Sequence, residues 1–134
     1  MRSISRIAAA ALSLASLPLT AHAGAPTEVE VVRNGDDGVT VTLAASVAQA
    51  FGRSDAFVLS GGGRANALVV VVQSPTAAAR AGIHYKLAFP IRFTSVQGQT
   101  LGFSEVTCQE NTLDKCADQV VTAAGPAAAK LGRH

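Results

Sequence analysis

Tryptophan is absent from this chain, tyrosine occurs once, and aromatic residues make up only 4% of its 134 positions. A core must therefore be built from Val, Leu, Ala and the five Phe. Aromatic platforms that stack single-stranded bases have little to draw on. Charge is sparse as well, at 15% of residues with a net +2. Arg2 and Arg6 carry that excess; without them basic and acidic residues balance at nine each. Such a chain has no global field to steer nucleic acid or an anionic surface toward it. G-x-S-x-G, C-x-x-C, the P-loop and the dinucleotide fingerprint are all missing. No apolar run approaches the ~20 residues needed to span a bilayer.

The longest apolar run is the 13-residue stretch Ile7 to Leu19. Arg2 and Arg6 precede it, and Ala21-His22-Ala23 follows with small residues at the two positions a signal peptidase reads. This is the three-part pattern of a secretory leader. Residues 1–23 are expected to be cleaved after Ala23 by a Sec-type route, leaving a periplasmic or secreted protein with no transmembrane segment. No Cys follows the leader and no Arg-Arg pair precedes it, which argues against a lipid anchor and against twin-arginine export.

Residues 24–134 are long enough for one small domain. Cys108 and Cys116 are the only cysteines, and in an oxidising compartment they are expected to form a structural disulfide. The seven residues between them do not fit a redox pair, and no further ligands lie nearby for a metal.

Glu28 to Arg33, Ala56 to Ser60, Leu68 to Gln73, Tyr85 to Thr94 and Thr100 to Thr107 read as strands. Leu68 to Gln73 is apolar enough to be central and covered on both faces. In the fourth strand Tyr85, Leu87, Phe89, Ile91 and Phe93 alternate with wetter residues, and Pro90 places it at a sheet edge or at a bulge. Leu101 and Phe103 are expected inward in the last strand. Val39 to Leu43 fits either the start of a helix or an extended strand; the Ala-rich segment Ala44 to Phe51 favours helix. Ser74 to Gly82 reads as a loop. Leu113, Cys116, Ala117, Val120, Val121 and Ala124 follow helical spacing, and Gly125-Pro126 is expected to stop that helix, with the tail in 125–134 either weak helix or loose. The result is an α+β fold: a small, mostly antiparallel sheet of four to five strands packed with two helices and stapled by one disulfide.

Few residues point to chemistry. His84 is the one imidazole within the folded segment; a catalytic role needs a carboxylate or hydroxyl beside it in a cleft. Gly61, Gly62, Gly63 and Arg64 could form a backbone nest for an anion, closed by Arg64, although a glycine run between strands is more simply a connector. Asp36 and Asp37 read as a solvated turn. Arg80, Lys86 and Arg92 could make a basic strip, or serve as the charge that protects an edge strand. No cofactor, metal or catalytic residue is assigned.

Phe51, Ser54, Phe57 and the run Leu68 to Val72 follow a helix ending in Phe, an S-x-x-F step and a hydrophobic strand. In this Leu43 to Gln73 resembles the small α/β domains of the bacterial envelope represented by the TolB amino-terminal domain. The resemblance implies a non-catalytic adaptor working through protein contacts, and no functional residue carries over. The expected function is thus an exported, non-catalytic binding protein of the cell envelope. Its partner is expected to be another envelope or extracellular protein, docked on a free strand edge. The alternatives are a small secreted enzyme or effector with a site around His84, and an inhibitor-like domain using loops 60–64 or 74–82. Mass spectrometry of protein made by its native host should find an N-terminus at Gly24 and no free thiol.

Overall fold

The computed structural model describes residues 25–131. The expected leader, Gly24 and residues 132–134, His134 included, lie outside the described residues. The elements are β1 (Thr27–Asn34), α1 (Gly38–Gly52), β2 (Phe57–Leu59), β3 (Leu68–Gln73), β4 (Ala77–Ala81), β5 (His84–Ser95), β6 (Thr100–Gln109) and α2 (Leu113–Leu131).

The strands form one mixed sheet in which β2, β1, β3 and β5 are successive neighbours. β1 runs parallel to β2 and β3, and every other pairing is antiparallel. The α+β class, the two helices and the disulfide are as expected, with six strands rather than four to five. Both helices lie on one face of the sheet and touch each other there. Beneath them Val29, Leu68, Val70, Val72, Phe89, Ile91, Phe93 and Val106 are buried, all on the alternating inward positions of their strands. β3 is central, yet helices cover only one of its faces. Val71, on the other face, keeps only 7% of its surface because its neighbours across the sheet, Val32 and Arg92, flank it.

β5 is an interior strand, not an edge. β6 pairs along nearly its whole length, while β3 takes residues 91–95 and β4 takes 84–88. The Thr76 N–H donates to the Ala88 carbonyl at 2.9 Å, so even-numbered residues of β5 turn their backbone groups toward β3 and β4. Pro90 is even-numbered and has no N–H to offer. The neighbouring chain breaks at that level: β3 ends at Gln73 and β4 begins at Ala77. The segment read as the loop Ser74 to Gly82 is therefore mostly strand. Five residues of it pair with β5 across the two-residue turn Gly82-Ile83, and that pairing overrides the weak strand propensity of alanine.

β6 holds one extra residue. Phe93 faces Gly102 but Thr94 faces Thr100, so a bulge falls at Leu101. Leu101 stays in the core, and a side chain at Gly102 would also point inward, toward Phe93 and Ala127. The alternation is thereby shifted, and Phe103, expected inward, stands 71% exposed on the helix-free face.

α1 resolves the ambiguity at Val39 to Leu43 in favour of helix. The Asp37 carboxylate accepts the Thr40 N–H at 3.1 Å and the Thr40 hydroxyl at 2.8 Å, which caps the helix ahead of its β-branched residues. Burial of Thr40 and Leu43 then outweighs propensity differences of a few tenths of a kcal/mol per residue. Asp37 also accepts from the Ser74 hydroxyl at 2.7 Å, which ties the start of α1 to the break after β3. Gly35 allows that approach, since a Cβ there would collide with Ser74 Oγ.

α2 does not stop at Gly125-Pro126 but continues to Leu131. Pro126 removes one helical hydrogen bond. Ala124 and Ala127 are buried on either side of it and Leu131 packs against the core, which offsets the loss. Cys108 and Cys116 are bonded, with a Cα–Cα distance of 5.6 Å, and join the end of β6 to the first turn of α2.

Two outcomes test this description. Replacing both cysteines with serine should cost about 2–3 kcal/mol by loop-closure entropy, read as a lower denaturation midpoint. The Ser74 hydroxyl, and after it the Thr40 hydroxyl, hold the Asp37 carboxyl below its ordinary pKa. A lowered folded-state pKa stabilises fully above the unfolded value and is lost as pH falls through the folded one. Asp37→Asn keeps a capping oxygen but cannot titrate. Its melting temperature should fall less steeply than that of the parent below about pH 4.

Candidate functional site

The glycine loop is not arranged as an anion nest closed by Arg64. Gly62 and Gly63 adopt φ values of 95° and 72°, on the left-handed side that glycine permits. However, Arg64 points back to Glu28, with Nε 3.0 Å from Oε1, and is not free to close over a ligand. A Cβ placed on Gly62 would lie 3.6 Å from the Glu30 carboxylate, so the loop rests on acidic groups that repel anions. The Gly62 N–H donates to the Ser60 hydroxyl at 3.1 Å, a local turn bond. Sequence could not show this, because Glu28 and Glu30 reach the loop only through the β1–β2 pairing.

His84 begins β5 with a carboxylate near it. Its Nδ1 lies 3.8 Å from Glu110 Oε1. That oxygen already accepts the Tyr85 N–H at 2.8 Å, and the Glu110 N–H donates to the Tyr85 carbonyl at 2.8 Å. Glu110 thus fastens the end of β6 to the start of β5. Asp36 is exposed and paired with Arg33 at 3.0 Å, and Asp37 serves as a helix cap. Among the described residues no three His, Cys, Asp or Glu side chains gather as a metal would require.

The basic strip does not assemble. Lys86 and Arg92 share the helix-free face, whereas Arg80 sits opposite Tyr85 on the other face, its guanidinium carbon 5.7 Å from the ring centroid. Because β5 is interior, Lys86 and Arg92 are not edge-protecting charges either.

β6 is one of the outer strands of the sheet, together with β2 and β4, and part of its outer edge is free. The Thr107 N–H donates to Gln119 Oε1 at 3.2 Å, and Gln119 Nε2 donates to the Thr107 carbonyl at 2.9 Å. The Gln119 amide thus occupies Thr107 as the peptide group of a neighbouring strand would. These bonds also show that odd-numbered residues of β6 turn their backbone groups away from β5. At Glu105 and Phe103, two and four residues earlier, the outward N–H and C=O have no partner among the described residues, and the exposed Phe103 ring stands beside them. The disulfide fixes α2 against β6 and so places Gln119 opposite Thr107. The signals in sequence were Gly102 and Glu105, which break the pattern of the last strand; the inward reading of Phe103 hid their meaning.

No protein-family model matches this chain, and no curated protein matches it in sequence. Its fold is shared with solved structures. A minor lipoprotein from Acinetobacter baumannii aligns at a TM-score of 0.52 with 14% identity, over 75% of this chain and 93% of that one. A Xanthomonas campestris protein of the DUF330 family model aligns at 0.53 with 10% identity, over 81% and 88%. PelC from Paraburkholderia phytofirmans, solved as a dodecamer, aligns at 0.50 with 10% identity, over 78% and 90%. At these identities the likeness is one of fold: a six-stranded mixed sheet with two helices on one side.

Proposed function

We propose that this protein is an exported, non-catalytic binding module of the bacterial envelope that docks a protein partner along the outer edge of β6. The observation that carries the reading is the edge itself. Phe103 and Glu105 present unpaired backbone groups outward, next to the most exposed phenylalanine of the described residues, and an extended segment can pair with them. The expected open edge thus moves from β5 to β6. The expected secretory leader supports an envelope setting, as does the fold shared with a protein described as a lipoprotein. The neighbour solved as a dodecamer shows that this architecture can build assemblies, so the partner strand can belong to a like domain.

The alternative centred on His84 draws on its carboxylate neighbour. Glu110 is engaged by the Tyr85 N–H, and 3.8 Å is beyond hydrogen-bond reach, which supports a structural role for the pair. The inhibitor-like reading loses one of its two loops, since 74–82 is largely β4 and its turn.

A photocrosslinking residue in place of Glu105 tests the proposal in the native host. One discrete adduct should form, and the same probe at the exposed Asp55 should give none. Phe103→Pro removes an outward N–H and the ring without breaking a bond to β5, and should weaken the adduct at least about tenfold. Equal adducts from both positions, or an adduct indifferent to Phe103→Pro, would contradict it.

A further inference from the structure

The hairpin of β4 and the first half of β5 stands clear of the helices. Residues 77–80 of β4 are exposed in succession, so neither face of that strand is covered. At the tip, Gly82 turns the chain with φ 69° and Ile83 is 82% exposed, the most exposed large apolar side chain among the described residues. Tyr85, the only tyrosine of the chain, follows at 43% exposure. An apolar tip with an amphipathic ring just behind it needs a reason in a protein with so few aromatic residues.

Cations straddle this tip. Arg80 and Lys86 each lie three residues from Ile83, on opposite faces of the hairpin. Arg80 pairs with Tyr85 and Lys86 with Ala79, so at ~3.3 Å per residue they stand about 7 and 10 Å behind the tip. Lys86 also shares a depression of about 440 Å³ with Lys115, and none of the residues lining it is acidic. Glu110 lies level with Tyr85 near the tip end of the hairpin, where its carboxylate accepts the Tyr85 N–H and sits 3.8 Å from His84 Nδ1. Asp114 and Lys115 are adjacent at the start of α2 and offset each other.

We propose that the β4–β5 hairpin docks on an anionic phospholipid surface, with Ile83 entering the interfacial region while Arg80 and Lys86 contact headgroup phosphates. The spacing fits, because interfacial elements bury apolar groups ~5–10 Å below the headgroup plane. Tyr85 lies level with Arg80, its partner across the hairpin, and ahead of Lys86, so an amphipathic ring accompanies the first cation. One Ile with two or three cations gives reversible, salt-sensitive attachment, not permanent anchoring. The site is separate from the edge of β6 and does not depend on it.

Sedimentation with phosphatidylcholine vesicles, with and without phosphatidylglycerol, reads the interaction. The protein should bind the anionic vesicles at low salt and dissociate at high salt. Ile83→Asp should lower the partition coefficient roughly tenfold, and Arg80→Glu with Lys86→Glu should abolish the preference for anionic lipid. All three residues are exposed, and thermal unfolding checks that the variants fold. Because the chain lacks tryptophan, Ile83→Trp supplies a single depth probe whose emission should shift to the blue and be quenched by brominated lipid. Equal partition into neutral and anionic vesicles, Ile83→Asp binding like the parent, or an unshifted tryptophan would each overturn the proposal.

Discussion

The fold turns on which backbone groups of β5 face which neighbour. Odd-numbered residues turn theirs to β6 and even-numbered ones to β3 and β4, as the Tyr85 and Ala88 carbonyls show. Pro90 falls in the even set. A missing donor toward β6 would have interrupted the longest pairing in the sheet. Toward β3 it coincides with a break that divides the neighbouring strand in two. The break frees Ser74 to reach Asp37, so the cap of α1 and the path of β4 meet at one place. Beyond it, the β4–β5 hairpin continues past the cover of the helices.

The same alternation governs the other side of β5. β6 is the last strand there, and the chain protects it in part. Edge strands invite unwanted pairing, and natural proteins blunt them with charge, bulges or covering segments. Here the cover is one side-chain amide, Gln119, held in place because Cys108 and Cys116 join strand to helix. The cover ends at Thr107. Phe103 and Glu105 lie beyond it, and the bulge at Leu101 turns the Phe103 ring out beside them. Two surfaces therefore stay available on opposite sides of β5: the hairpin tip and the β6 rim.

Strong, local signals were legible in sequence. Tyr85 to Phe93 alternates cleanly because one face of β5 is buried, and the stripe from Leu113 to Ala124 marks α2 because those side chains meet the sheet. The cysteine pair followed from compartment and count. What sequence could not show depended on partners distant along the chain. Ala77 to Ala81 becomes strand only because β5 lies beside it. Pro126 is tolerated because Ala124, Ala127 and Leu131 pack against the core on either side of it. Phe103 changes face because of one extra residue, which periodicity alone does not register. The surroundings of the candidate glycine loop were hidden for a similar reason, since the carboxylates beside it, Glu28 and Glu30, come from β1.

Amide hydrogen exchange along β6, followed residue by residue, tests most directly whether the rim is open where it is described as open. Inward amides such as Ser104 and Val106 should be strongly protected, Thr107 should be protected through Gln119, and Phe103 and Glu105 should exchange far faster than all of these. Protection at Phe103 and Glu105 equal to that of Ser104 in the isolated monomer would mean the edge is already covered, and the account of this protein as an edge-docking module would fail.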